Sequence, residues 1–256
     1  MALLVLLALP ACTNEPPVAG PASVESPAPT TRSPVTSSRT AVAPTDEPAR
    51  PSTSTTGSPP ASPPGRPPFT AGVQPIDDAL AVRMTPTSYR AGCPTPLRDL
   101  RYLRLSYVDF AGQVHRGELV VSARVAADVV GVFHRLFDAG YPIRSMRLVD
   151  DFDGSDDASM AADNTSAFNC RPATGGGGWS QHSYGEAVDV NPRENPYVRG
   201  ATVLPPLGRS YTGRPRRPGV IHEGDVVTRA FGALNWGWGG RWTGVKDYQH
   251  FSRSGR

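Results

Sequence analysis

Polar and apolar residues alternate from Leu100 to Tyr107, with Leu103, Leu105 and Tyr107 set against Arg101, Arg104 and Ser106. A period of two predicts a half-buried strand. Asp109–Gln113, with Gly112, reads as a turn, and Gly117 to Ala123 as a second strand, so the pair predicts a β-hairpin. The period then changes. Val129, Val132, Phe133, Leu136 and Phe137 recur at helical spacing within Val125 to Ala139, and Gly140 with Pro142 predicts the helix end. Shorter signals give an amphipathic helix over Ile76–Met84, a strand over Arg144–Val149, a strand over Ala187–Val190, a helix over Asp225–Leu234 and a terminal strand around Tyr248–Phe251. Between them, Asp150–Gly178 reads as a long functional loop with one strand near Ala167–Arg171, its acidic run a solvated stretch, and Pro192–Pro218 as a proline- and arginine-rich loop. Strands and helices without strict alternation predict an α+β fold, a small antiparallel sheet with flanking helices.

Composition divides the chain. Residues 13–68 hold 15 prolines and 18 Ser/Thr and contain no Leu, Ile, Met, Phe, Tyr or Trp. Such a stretch cannot bury enough apolar area to offset its ordering entropy, so it reads as a disordered linker. That leaves 69–256 as one domain of ordinary size. The linker carries four acids and four bases, so the net charge of +3 belongs to the domain. Its charges are interspersed, which argues against a nucleic-acid surface. No apolar run reaches the roughly 18–20 residues of a membrane-spanning helix.

Residues 1–12 form an apolar run ending in Ala11-Cys12, which resembles the end of a bacterial lipoprotein signal whose cysteine becomes lipidated. Two features depart from that pattern: eleven residues precede Cys12, and none of them is basic. An exported, lipid-anchored chain with a stalk is the expectation. With Cys12 set aside, Cys93 and Cys170 remain, an even pair expected to form a disulfide in an oxidising compartment.

Two segments carry candidate chemistry: Ser180-Gln181-His182-Ser183-Tyr184-Gly185-Glu186-Ala187-Val188-Asp189 and Asp247-Tyr248-Gln249-His250-Phe251. A catalytic zinc takes three protein ligands from imidazole and carboxylate and keeps one position open. His182, Asp189 and His250 supply such a set, Gly185 permits the turn between the first two, and Asp247 is placed to accept a proton from water. Other hydrolytic chemistries lack their residues: there is no Ser-x-x-Lys with Lys-Thr-Gly, no G-x-S-x-G and no H-E-x-x-H.

The pattern S-x-H-x-x-G-x-A-x-D, followed by W-G-G-x-W (Trp238–Trp242) and D-x-x-H-F, resembles the zinc D-alanyl-D-alanine carboxypeptidase family, which includes VanY-type carboxypeptidases and L-alanyl-D-glutamate endopeptidases. The resemblance spans about 140–252. It implies a Hedgehog/DD-peptidase fold, one zinc held by His182, Asp189 and His250, and Asp247 as the base. Many relatives carry a Y-R-S-x-x-x-Q segment whose arginine meets the substrate; it is absent here, and Arg171 is the replacement candidate, its other reading a structural ion pair. Ser180, Tyr184 and Trp238 are further substrate-binding candidates, although the cluster Trp236, Trp238 and Trp242 reads most simply as core, its alternative being a cleft wall in which Gly237, Gly239 and Gly240 let backbone approach the substrate. The expected function is zinc-dependent cleavage of peptidoglycan stem peptides by a monomer outside the cytoplasmic membrane. The alternative is a non-catalytic, zinc-stabilised module that binds the cell wall.

Overall fold

The computed structural model describes residues 65–174 and 176–256. The segment 1–12 with Cys12, and the linker as far as residue 64, lie outside the described residues. The described chain opens with β1 (Ala71–Pro75), which the periodicity did not announce, and α1 (Asp78–Met84). Asp77 starts this helix by accepting the Leu80 amide at 2.8 Å. The expected hairpin follows as β2 (Leu100–Val108) and β3 (Val114–Ser122), paired antiparallel along nine positions, and β1 adds to the free edge of β2. Helix α2 (Ala126–Asp138) ends as the sequence predicts: Gly140 is left-handed, and the Tyr141 amide reaches back to the Leu136 carbonyl at 2.9 Å.

Alternation in the hairpin sorts its side chains between two cores. Leu103 and Leu105 join Leu119, Val121 and the buried stripe of α2 (Val129, Val132, Phe133, Leu136). Leu100 and Val120 belong to a second cluster with Met84, Leu148, Phe168 and Cys170. The sheet is therefore covered on both faces, which an alternating pattern with arginines between the leucines conceals.

Beyond α2 the elements shorten. The expected strand over Arg144–Val149 is β4 (Ser145–Met146) alone, and Val149–Phe152 turns as a 3-10 helix. The expected Asp150–Gly178 loop contains α3 (Asp156–Ala161) and β5 (Asn164–Thr165), which pairs parallel to β4. Its acidic run is tied down rather than solvated: Asp150 accepts from Thr87 and Ser88, Asp151 pairs with Arg83 and Arg147, and Asp156 pairs with Arg171 at 2.7 Å. The expected loop over Pro192–Pro218 folds as well. After β6 (Ala187–Asp189), it forms the hairpin β7 (Tyr197–Arg199) and β8 (Thr202–Leu204), then a 3-10 stretch over Pro206–Tyr211. Helix α4 (Val226–Gly232) is capped by Asp225, and the chain closes with β9 (Gly237–Trp238), β10 (Lys246–Asp247) and β11 (His250–Ser252).

The architecture is α+β, with the antiparallel strands spread over three three-stranded sheets, β1-β2-β3, β10-β7-β8 and β6-β11-β9, in place of the single small sheet expected. The principal core runs from the hairpin through α2 and α4 to β11, where Phe231 stacks on Phe251 at 4.2 Å between centroids. That packing sets β11, and with it His250, against α4 and the principal core. No helix of the described residues is long and apolar enough to cross a membrane.

Candidate metal centre and its cleft

Local rules bring the first two donors together. Ser180 begins a 3-10 turn over Gln181–Tyr184, its Oγ accepting the His182 amide at 3.3 Å. Gly185 ends the turn with φ +67°, and a Cβ there would come within 2.5 Å of the Ser122 nitrogen. This glycine thus answers both a left-handed backbone and a close approach to the end of β3, where its carbonyl accepts the Ser122 amide at 2.8 Å. Three residues of β6 then carry the chain to Asp189. Strand β11 pairs antiparallel with β6, with His250 directly opposite Asp189. Directly opposed residues share a sheet face and meet across it.

The three side chains converge. His182 Nε2 lies 3.2 Å from Asp189 Oδ2 and 3.2 Å from His250 Nδ1, and His250 Nδ1 lies 3.0 Å from Asp189 Oδ1. All three residues are buried, and one ligand atom from each falls within 4.8 Å of the others. Zinc bonds of about 2.0–2.1 Å in tetrahedral geometry place ligand atoms roughly 3.3 Å apart. The separations fit. So does the chemistry of the donors: the remaining nitrogen of each ring faces a main-chain oxygen, His182 Nδ1 at 2.5 Å from Ala167 O and His250 Nε2 at 3.2 Å from Arg256 O. If each of those nitrogens carries the proton, two lone pairs and a carboxylate face one another, an arrangement that calls for a cation.

Electrostatics agree. Burial alone would raise the Asp189 carboxyl, but the adjacent imidazoles of His182 and His250 hold it well below the usual carboxylate range. Burial alone would lower His250, and Asp189 beside it raises it instead. Asp247 behaves oppositely: burial and then the negative charge of Asp189 push it up to about 7. Its Oδ1 is buried without a hydrogen-bond partner. Gly239 explains part of the W-G-G-x-W segment, because a Cβ there would meet the Asp247 main-chain oxygen at 2.4 Å and its Cβ at 2.8 Å. The glycine next to the site seats Asp247. The expected opening of backbone toward substrate takes no part in that contact.

A cleft of about 630 Å³ opens over these groups, lined by His182, Asp189, His250, Asp247, Ser180 and Arg171 among others. Arg171 is engaged with Asp156, whose carboxyl burial raises although the guanidinium opposes that shift. Two expected substrate contacts fall elsewhere. Trp238 is buried in the core, stacked on Phe251, its indole N–H donating to the Tyr248 carbonyl at 2.9 Å, and Trp242 takes its place in the cleft wall. Tyr184 is exposed outside the cleft, at the end of its turn, with its carbonyl accepting from Thr95. Cys93 and Cys170 form the expected disulfide, which joins the segment before β2 to the residue preceding Arg171.

Sequence reasoning missed Asp156, Tyr197 and Gln249 in the cleft wall, together with the two main-chain oxygens behind the imidazoles. For Asp156 a signal existed: Ser155 caps α3 by accepting the Ala158 amide at 3.2 Å, a helix start within the acidic run. For a carbonyl oxygen no residue-type signal exists.

No curated protein and no solved structure matches the chain. A family model does match. Residues 174–253, a shorter span than 140–252 and one that begins just after Arg171, match the D-alanyl-D-alanine carboxypeptidase family. That segment holds all three donors and Asp247, and over it the chain is similar to the D-alanyl-D-alanine carboxypeptidases.

Proposed function

We propose that the protein is a zinc-dependent peptidase that cleaves peptidoglycan stem peptides, on a domain of the Hedgehog/DD-peptidase kind. The family match supports a carboxypeptidase-like peptidase. The observation that carries the catalytic reading is Asp247, a carboxyl raised to about 7 whose Oδ1 is buried without a partner beside the donor triad. A module that only bound zinc or wall peptides has no use for a buried carboxyl with one oxygen left without a partner there.

Zinc held by His182, Asp189 and His250 would polarise the scissile carbonyl and acidify water. The chain's own residues do the rest. Asp247 accepts a proton as water adds to the carbonyl carbon. It returns that proton to the amine nitrogen as the C–N bond breaks, so one carboxyl serves both steps. Arg199 lines the same cleft beside Arg171, which is paired with Asp156, and a guanidinium group suits a free terminal carboxylate. Removal of a terminal D-alanine is therefore the favoured reaction, with cleavage inside the stem, of the L-alanyl-D-glutamate type, as the other outcome of the product analysis. The disulfide suits an oxidising compartment outside the cytoplasmic membrane. A lipid anchor at Cys12, with residues 13–68 as a stalk, would hold a monomer near the wall.

Chelation should abolish release of D-alanine from muropeptides, and zinc should restore it. Asp247→Ala should leave zinc stoichiometry and melting temperature unchanged and lower kcat by about 10²–10⁴-fold. The base must be ionised, so wild-type activity should fall as pH drops through about 7, or through a lower pH once a bound dication favours the carboxylate. Full activity in metal-free protein, or in Asp247→Ala, would remove the enzymatic reading.

A further inference from the structure

The segment after β11 lies against His250 of the donor triad. Arg253 donates its amide to the Glu186 carbonyl at 3.0 Å. Gly255 is held twice, its amide on the Ser252 carbonyl at 3.1 Å and its carbonyl on the Trp242 indole N–H at 2.8 Å. A Cβ on Gly237 would come within 2.4 Å of the Gly255 Cα, so β9 packs directly on the segment. The product of this folding is one atom in one place: the Arg256 main-chain oxygen, 2.7 Å from Ser252 Oγ and 3.2 Å from His250 Nε2. The Trp242 ring lies 5.5 Å from the His250 ring and covers it.

We propose that residues 252–256 position the third metal ligand: they present a main-chain oxygen that holds the proton of His250 on Nε2 and so leaves Nδ1 free to face His182 and Asp189. A neutral imidazole carries one N–H. Without an acceptor at Nε2, the favoured arrangement puts the proton on Nδ1, 3.0 Å from Asp189, where it would occupy the ligand atom. His182 has a corresponding acceptor in Ala167, but that oxygen lies on a segment bridged to β6 through the reciprocal Ser166 and Asp189 bonds of 3.0 and 2.9 Å. His250 depends on the less regular of the two supports. Arg256 thus acts through His250 as a positioning residue.

This inference rests on the zinc reading, and the test separates the two. Zinc dissociation constants would be measured by competition with a chelating dye for the full chain, for the chain lacking residues 254–256, and for Ser252→Ala and Trp242→Phe, which keep the segment but loosen its hold. Loss of an outer partner of a metal-bound histidine typically weakens binding about 10–100-fold. The truncation should show that loss, and the two substitutions a smaller one in the same direction. In the metal-free proteins, at a pH high enough to leave His250 neutral, its ring-nitrogen chemical shifts should report the Nε2-protonated form in wild type and a shift toward Nδ1 protonation in the truncation. A truncated chain and a pair of substituted chains that bind zinc as wild type does, with unchanged ring-nitrogen shifts, would overturn the proposal while leaving the zinc reading intact. A wild-type protein that takes up no zinc would overturn both.

Discussion

The hairpin with α2 and the half of the domain that bears the cleft are held by different forces. Strands β2 and β3 run nine residues each, and α2 buries Val129, Val132, Phe133 and Leu136 against them. In the cleft half, β6, β7, β8 and β11 run three residues each, and the buried set includes Asn164, Asn191, Asn195, Asp163, Glu194 and Gln249. Asn195 shows how that half works. Its amide nitrogen donates toward the carbonyls of Val190, Asn191 and Gly219, and its oxygen accepts from the Ile221 amide at 2.8 Å and Arg214 at 2.7 Å. Arg214 lies over the Tyr248 ring at 4.1 Å, and burial lowers its guanidinium to about 10. The first region is stable because apolar surface leaves water. The second shares the principal core through Val188, Val190 and Phe251 but adds many buried polar groups, and its dependence on their hydrogen bonds makes it responsive to ligand and proton.

Substitutions on either side sharpen that contrast. Phe133→Ala should cost about 3–5 kcal/mol by the cavity it opens, while zinc affinity in the folded protein stays as it was; calorimetry and dye competition together check this. Cys93→Ser acts at the seam between the regions, since Cys170 belongs to the second core cluster and precedes Arg171. It should cost about 2–4 kcal/mol, read from denaturant melts under non-reducing conditions, with zinc stoichiometry unchanged. Asn195→Ala should cost about 1–3 kcal/mol by orphaning the Ile221 amide and an Arg214 donor. Unlike Phe133→Ala, it should also weaken zinc, because the turn it secures follows Asp189 directly. If both substitutions leave zinc affinity untouched, the contrast fails.

The last contrast concerns protons, and its size depends on pH. Asp163 is buried, with Oδ1 accepting the Arg193 amide at 3.0 Å, and burial together with the neighbouring Glu194 raises its carboxyl to about 7. A carboxyl raised on folding binds its proton more tightly in the native state. Its contribution is therefore fully present below the unfolded value of about 3.9 and is lost as pH rises through about 7. Wild type should lose stability relative to Asp163→Asn across that window, by at most about 1.4 kcal/mol per pH unit. Parallel melts of the two proteins from pH 4.5 to 7.5 give the difference directly, and parallel curves would show that Asp163 is ionised throughout.

Periodicity was enough for the hairpin and α2 because each runs long enough for the alternation of core and solvent to repeat several times. The donor set was legible for another reason: Ser180, Gly185 and the spacing to Asp189 encode a capped turn followed by a strand, and that geometry is local. Trp238 shows the limit. The tryptophan cluster reads most simply as core, and Trp238, stacked on Phe251, lies there, whereas Trp242, four residues on, reaches the cleft; the residue types are the same and only the packing separates them.

The sequence by itself determined the residue types that meet at the centre, the turn that presents His182 and the pairing partner left for Cys93. Only the tertiary structure decided which atoms those residues present. The opposition of His250 and Asp189 depends on β11 pairing with β6 across some sixty intervening residues. The acceptors behind both imidazoles are main-chain oxygens of Ala167 and Arg256, and every residue type carries the same carbonyl, so no pattern of side chains can mark them. Strands of two or three residues are too short to show a period. Their places follow from the long-range contacts that close around them.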